Sequence, residues 1–440
     1  MRAAKGKTVW IIALLAILVA GAAALPFLVP LDRFIPEIEA IAKARTGMPV
    51  KIHELRLFLM PTPHVTASGI EIGSKEVQIG DVSIYPEIGS LFSETRVIRL
   101  VEVHGLALHD TLFAKLKLPK DMGGPKAVEV RRVLVHDLRP TLKGSAVGVW
   151  NADVTLGGAI GVERAEIESA DGKLVASLLP RDKHWDLSIA GKDWKPPLGP
   201  PILFTTLTAH GRLTEKTLDV PALKATLYGG TLTAALKAEF PQRWSLSGNY
   251  AGENIDVGAL GRVFDPKQAL GGRLKTNGTL AASAAKPEAL ANALGVNGAF
   301  VVTDGVLHGF DLAGAAAKML KGGTKGGETR FDKFTGDYQL AGGNVKLRNL
   351  VVESGALAAK GNVDITGPQQ QLGGTVDVAL KASKGLVGVP VALSGTVKDP
   401  TITPTKGTAI GAAVGTVLLP GVGTAIGSRV GRFFEKKTEK

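Results

Sequence analysis

The sequence predicts a mainly β protein, an antiparallel meander with few helices, and three observations carry that prediction. Apolar residues alternate with polar ones over short runs, as in residues 361–380, "GNVDITGPQQQLGGTVDVAL". There Val363 and Ile365 alternate with Asn362, Asp364 and Thr366, and Val376, Val378 and Leu380 alternate with Thr375 and Asp377. A period of two gives a strand one apolar and one polar face. Glycine pairs recur between an apolar residue and a resuming strand: "LGGAI" at 156, "YGGTL" at 228, "LGGRL" at 270, "AGGNV" at 341 and "LGGTV" at 372, with "ADGKL" at 170 and "TDGVL" at 303 as Asp-Gly equivalents. Positive φ in tight hairpins selects Gly, Asn and Asp, so these sites read as hairpin turns, with few of the long crossovers that parallel strands need. Helical periodicity, finally, is confined to short segments.

Along the chain, residues 8–30, "TVWIIALLAILVAGAAALPFLVP", carry no charge. At about 1.5 Å per residue such a run crosses a ~30 Å hydrocarbon layer. Lys5 and Lys7 before it place that end in the cytoplasm. A cleaved signal peptide would share the basic start and the "AGAAA" stretch. Apolar sequence resumes at once in "LPFLVPL", which favours an uncleaved anchor. Residues 33–47, "RFIPEIEAIAKARTG", read as a helix with Ile35, Ile38, Ile41 and Ala42 on one face, Pro36 in the first turn and Gly47 as the stop. Strands are expected at 51–59, 76–79, 81–85, 97–103, 128–135 and 165–169, and short helices at 255–264, 287–294 and 312–320. The stretch 321–329, "KGGTKGGET", reads as a mobile loop.

Residues 408–428 are again uncharged. Gly411 and Gly415, and Gly423, Gly427 and Gly431, lie four apart, the small-residue spacing at which helices approach closely in lipid. Pro420 and Gly421 divide the tail into two half-length segments. A membrane-touching hairpin, a single full span and a flexible tail all stay open.

Composition narrows the function. Aromatic residues make up 5% of the chain and the mean hydropathy is +0.17. There is no cysteine, so disulfides and thiolate metal sites are excluded. Half of the +12 net charge sits at the two ends, and the remainder is too dilute for a nucleic-acid footprint. The eight histidines (His53, His64, His104, His109, His136, His184, His210 and His308) show no metal-ligand spacing, and no nucleophile elbow, phosphate loop or dinucleotide fingerprint occurs. The expectation is a protein that is not an enzyme and uses no cofactor or metal.

An apolar sheet face must be covered. A β-sandwich would normally draw on aromatic residues, and an antiparallel sheet of about thirty strands must close, split or curl. Here the residues resemble a known family. The anchor followed by "GMPVKIHELRLFLMPTPHVTASGIEIG" and "SIYPEIGSLFSETRVIRLVEVHG" resembles the opening module of the AsmA family of bacterial envelope proteins. "ATLYGGTLTAAL" is similar to its Tyr-Gly-Gly turn (Tyr228, Gly229, Gly230). "VNGAFVVTDGVLHGFDL" with "TRFDKFTGDYQLAGGNVKLRNLVVESGALAAKGNVDITG" resembles its C-terminal domain, and "VPVALSGTVKDPTITP" its closing strands.

The resemblance implies an elongated, curled antiparallel β-groove anchored in the inner membrane with its body in the periplasm. It implies a role in phospholipid transfer between membranes and in outer-membrane assembly. The implied organisation is a cytoplasmic start and anchor at 1–30, an N-terminal β-region at 31–250, a C-terminal β-region at 251–404 and a Gly-rich tail at 405–440. Groove candidates are Phe300, Val302, Val363, Ile365, Val376, Val378 and Leu380, which would face phospholipid acyl chains; charge at Val376 and Val378 is expected to block lipid contact and spare folding. The alternatives are an assembly factor that influences insertion or targeting of outer-membrane proteins by strand addition, and a structural envelope tether. Partners are then the membrane, phospholipid and other envelope proteins, with no nucleic acid.

Overall fold

The computed structural model describes residues 31–109, 128–142, 144–157, 161–197, 199–240, 243–265, 270–286, 289–317, 326–355, 357–380 and 389–405. The expected anchor, the 321–325 part of the Gly-rich loop and the tail glycines lie outside them. Among the described residues no helix is long and apolar enough to cross a membrane. The protein is mainly β, and it divides into two compact units at Ile189/Ala190.

The first unit opens with a short 3-10 turn and helix α1 (Ile35–Thr46). As expected, Pro36 lies in the first turn and Gly47 ends the helix in the left-handed region (φ 69°), its N–H donating to the Lys43 carbonyl. The strands follow: β1 (Val50–Lys51), β2 (Glu54–Phe58), β3 (His64–Ile72), β4 (Val77–Pro86), β5 (Arg96–Leu108), β6 (Val128–Val130), β7 (Arg132–Leu142), β8 (Ser145–Ala146), β9 (Trp150–Gly157), β10 (Gly161–Ser169) and β11 (Leu174–Arg181). β12 (His184–Trp194) contains the division between the units. The two strands expected at 76–79 and 81–85 are one strand, β4, because Gly80 continues the extended backbone. The expected strand at 51–59 is interrupted after Lys51.

β1 and β2 both pair with β3, and antiparallel pairing continues through β4 to β5. β5 then pairs in parallel with β6 and β7, a departure from the uninterrupted meander expected; the segment joining β5 to β6 supplies the length such a crossover needs. Antiparallel order resumes from β7 to β9, β10 and β11. At the free edge, Asp32 and Glu39 accept hydrogen bonds from the backbone N–H of Leu55 (3.1 Å) and Ile52 (2.7 Å). These carboxylates satisfy edge donors that would otherwise template another strand.

The second unit is the meander the turn residues predict. It runs β13 (Phe204–Leu213), β14 (Thr217–Leu227), β15 (Gly230–Glu239), β16 (Trp244–Asp256), β17 (Leu270–Ala284), β18 (Gly295–His308), β19 (Glu328–Ala341), β20 (Asn344–Glu353), β21 (Leu357–Thr366), β22 (Gln371–Leu380), β23 (Val389–Gly395) and β24 (Pro400–Pro404), each antiparallel to the next. Two short helices interrupt it, α2 (Val257–Gly261), capped by Asp256, and α3 (Leu312–Ala317). Of the helix expected at 287–294, residues 287–288 lie outside the described residues, 289 is 3-10 helical and 290–293 form turns. Prolines at both ends of β24 blunt the last edge.

The paired glycines divide into turns and strand interiors. Gly342 and Gly343 (φ 57° and 79°) are the two turn residues between the paired Ala341 and Asn344. Asp171 and Gly172 lie in the turn from β10 to β11. At 228 the turn pair is Tyr228 and Gly229 (φ 46° and 76°), with Leu227 opposite Gly230. The pairs at 270 and 303 are not turns. Gly272 (φ 127°) sits opposite Asp304 and Gly305, so β18 carries an extra residue and the ladder bulges. "LGGTV" lies inside β22, where a Cβ on Gly374 would stand 2.9 Å from the Val363 Cα; here Gly serves close approach, and the turn lies at 367–370.

Candidate functional site

Registers place the apolar residues of the first unit in two lateral rows. Leu57, Val65, Ile84, Val101, Val133, Val154, Ala165 and Leu178 pair in succession across β2, β3, β4, β5, β7, β9, β10 and β11. One step along the same face, Leu55, Ala67, Val82, Val103, Val135, Ala152, Ile167 and Ala176 form the second. Neither row contains a polar side chain. The opposite face carries Arg56, Thr66, Ser83, Glu102, Asp153 and Glu166, with Arg132 clamping Asp153 through two hydrogen bonds of 2.9 and 2.6 Å. That clamp holds the Asp153 carboxyl below the usual carboxylate range. Every member of the first row is half-buried or exposed, and in the second only Leu55 is buried. Among the described residues, no side chains close this face.

Among the described residues, the second unit closes its apolar face at one side only. Ile255, Leu274, Val302, Phe334, Val352, Ala359, Val378 and Val389 form a row that is buried except for the half-buried Leu274. Phe300 and Phe331 pack edge-on against Phe334, with ring centres 5.0 and 5.7 Å away. Leu312 of α3 joins the same core. Further along the strands the row Leu236, Gly248, Leu280, Val296, Leu340, Val345, Ile365 and Leu372 is half-buried throughout. Between these rows lie two apolar openings of about 230 and about 400 Å³. They share Leu270, Phe334 and Leu347, so they form one cleft within this unit.

Tyrosines surface one stretch of that face. Tyr250, Gly278, Gly298 and Tyr338 are successive register partners across β16 to β19. The two hydroxyls hydrogen-bond each other, and Tyr338 also meets the Thr276 hydroxyl at 2.9 Å. A Cβ on Gly298 would stand 2.6 Å from the Tyr338 hydroxyl, so the glycines are what let the rings lie against the sheet. Burial, and then the bond to Tyr338, push the Tyr250 phenol above its ordinary value. The unfolded chain ionises near pH 10, before the folded one, so the contribution of the neutral phenol is complete below about pH 10 and lost as pH rises through the folded value. Thermal melts of the wild type should therefore fall more steeply above pH 10 than those of Tyr250→Phe; superimposable alkaline limbs would remove the assignment.

Of the predicted groove residues, Phe300, Val302, Val363, Ile365, Val376 and Val378 lie on this face of the second unit. Val363, Ile365 and Val376 line the 230 Å³ opening, and Phe300 and Val302 the larger one. Leu380 pairs with Leu357 at the end of β22. Val378 is fully enclosed and lines neither opening. It packs beneath the cleft among enclosed side chains, so a charge there is expected to act on folding, whereas the expectation from sequence was that folding is spared. Of the turn motif, the Tyr228 hydroxyl accepts the Leu203 backbone N–H (3.1 Å) ahead of β13, and a Cβ on Gly230 would meet the Glu253 carbonyl at 2.5 Å. Gly411, Gly415, Gly423, Gly427 and Gly431 lie outside the described residues. The rows of the first unit are the part sequence reasoning did not single out as a site. Their signal was present in the Val, Ile and Leu alternation of 97–103 and 128–135.

A family model described as the AsmA family matches residues 1–115, a span that includes α1 and β1 to β5. No curated protein and no solved structure matches the chain.

Proposed function

We propose that this chain, whose residues 1–115 match a model of the AsmA family, is an envelope protein of the inner membrane whose uncharged sheet face carries phospholipid acyl chains through the periplasm toward the outer membrane. Residues 8–30 serve as the single anchor, with the basic start in the cytoplasm. The reading needs no catalytic group. The observation that supports it most is the pair of unbroken, half-exposed aliphatic rows crossing eight strands of the first unit.

Exposing a methylene to water costs about 0.8 kcal/mol, so two chains of ~14 methylenes impose roughly 20 kcal/mol on unassisted transfer. A continuous aliphatic surface offsets most of that, while the headgroup stays in water. Successive rows on one face are about 6.6 Å apart, close enough for neighbouring chains to lie side by side. The two rows of the first unit are wholly aliphatic, whereas Phe300 and Phe334 border the cleft of the second unit and Phe331 packs edge-on against Phe334.

The strand-addition alternative requires free sheet edges, and carboxylates at one edge and prolines at the other disfavour it. A photoreactive residue at Val133 or Val154, with illumination in living cells, should yield adducts containing phospholipid, detectable by mass spectrometry. The same residue at Asp153, on the opposite face, should not. Adducts only with unfolded outer-membrane proteins would transfer the assignment to the assembly-factor reading.

A further inference from the structure

The apolar cleft of the second unit and the last described strand meet. The 230 Å³ opening presents no polar surface, and Gly361 leaves part of its floor without a side chain. β24 borders it at both ends. At the start of β24, a Cβ on Gly309 would stand 3.6 Å from the Pro400 ring, and the next residue, Phe310, lines the opening. At its finish, Pro404, Val391 and Val376 are successive register partners, and Val376 lines the opening as well. Two strand spacings, about 10 Å, therefore separate a lining residue from the point where the chain leaves the sheet. The Thr405 N–H donates to the Pro390 carbonyl (3.3 Å), so the chain is held there to its last described residue. Three residues further on, at Thr408, the uncharged run of residues 408–428 begins. At up to ~3.6 Å per residue it starts within reach of the cleft. Its longest aliphatic stretch is Val417, Leu418 and Leu419, flanked by segments rich in Gly and Ala.

We propose that the chain's own tail occupies this cleft: residues 408–428 fold back past β24, Val417, Leu418 and Leu419 fill the opening, and any other guest of the second unit must first displace them. An open apolar cleft and an uncharged run are both unfavourable in water, and each covers the other. Gly and Ala beside the Val-Leu-Leu stretch let that backbone lie close to the sheet. The tether favours the tail over a second copy or a lipid. A segment joined through so few residues faces the cleft at a roughly millimolar effective concentration, however dilute the protein. A second copy must associate from solution, and a lipid must leave a bilayer that already covers its chains. Occupancy by the tail goes beyond lipid transfer and does not depend on it. It lowers the apparent affinity of the second unit for apolar guests and leaves the rows of the first unit untouched.

A photoreactive amino acid would be placed in the full chain at Leu372, which is half-buried and lines the opening, and illuminated in living cells. Thr375, exposed on the opposite face of the same strand, is the control position. Trypsin cuts after Lys360, Lys381, Lys406 and Arg429, so both positions fall in peptide 361–381 and the tail is released as peptide 407–429. The monomeric chain labelled at 372 should carry peptide 407–429 joined to peptide 361–381, and the chain labelled at 375 should not. Leu418→Asp combined with Leu419→Asp should lose most of that adduct, and its retention would overturn the assignment of the filling residues. Phospholipid attached at 372, with peptide 407–429 unattached, overturns the tail as occupant and leaves the lipid-transfer reading standing. Covalent dimers formed from 372 give the cleft to a second copy and likewise overturn it. So do tail adducts at 372 and 375 alike, or a chain with no adduct at 372.

Discussion

Val378→Asp is expected to unfold the closing strands of the second unit. Val378 is fully enclosed between its register partners Ala359 and Val389, in the row that continues to Val352 and Phe334. An unpaired carboxylate at such a site costs several kcal/mol, even after water penetration or protonation relieves part of it. That is comparable with the whole stability of an ordinary domain. Val378→Ala removes only packing and should cost about 2 kcal/mol. Denaturant titration of the full chain, with amide exchange read over β21 to β23, would separate the two. The alanine variant should melt cooperatively at lower denaturant, and the aspartate variant should lose protection in these strands before any denaturant is added. An aspartate variant that retained wild-type protection would show that the row is open to water, and the division of this face into packed and open parts would fail.

What could be read from sequence follows from which physical signals are local. The α1 boundaries were legible because Pro36 and Gly47 act on their own backbone. The meander of the second unit was legible because alternation and turn residues fix a hairpin over ten or so positions. "AGGNV" and "LGGTV" look alike, but the first is a turn and the second a strand interior. The difference lies in Val363 across the ladder, whose backbone leaves no room for a side chain on Gly374. Parallel pairing of β5 with β7 was invisible for the same reason, since it depends on a partner thirty-two residues away.

The candidate site shows the limit most clearly. Alternation places Val376 and Val378 on one face but does not distinguish a lining residue from a packed one. That distinction depends on Phe334, Leu312 and Val389, supplied by distant strands and a helix. The aliphatic rows of the first unit need eight registers at once, and no one strand announces them.

Val101→Glu should leave the first unit folded and block lipid movement along it. Val101 is half-buried on β5, between Ile84 and Val133 in the unbroken row. A partly exposed strand position tolerates such a change at about 1 kcal/mol or less, because the carboxylate can remain hydrated. Hydration is also what interrupts the row. A hydrated carboxylate would expose about four methylenes of a passing chain to water, about 3 kcal/mol, or roughly a hundredfold in the rate of passage. Ser177→Lys, on the opposite face beside its register partner Glu166, adds a charge without touching the row and should pass lipid normally. Both variants should melt within a few degrees of wild type. In a vesicle-to-vesicle assay with fluorescent phospholipid, only Val101→Glu should transfer about a hundredfold more slowly than wild type. Equal transfer by Val101→Glu and wild type would mean that lipid does not travel over these strands. The two variants differ in which face receives the charge, so the comparison reads the path itself and not the stability of the sheet that carries it.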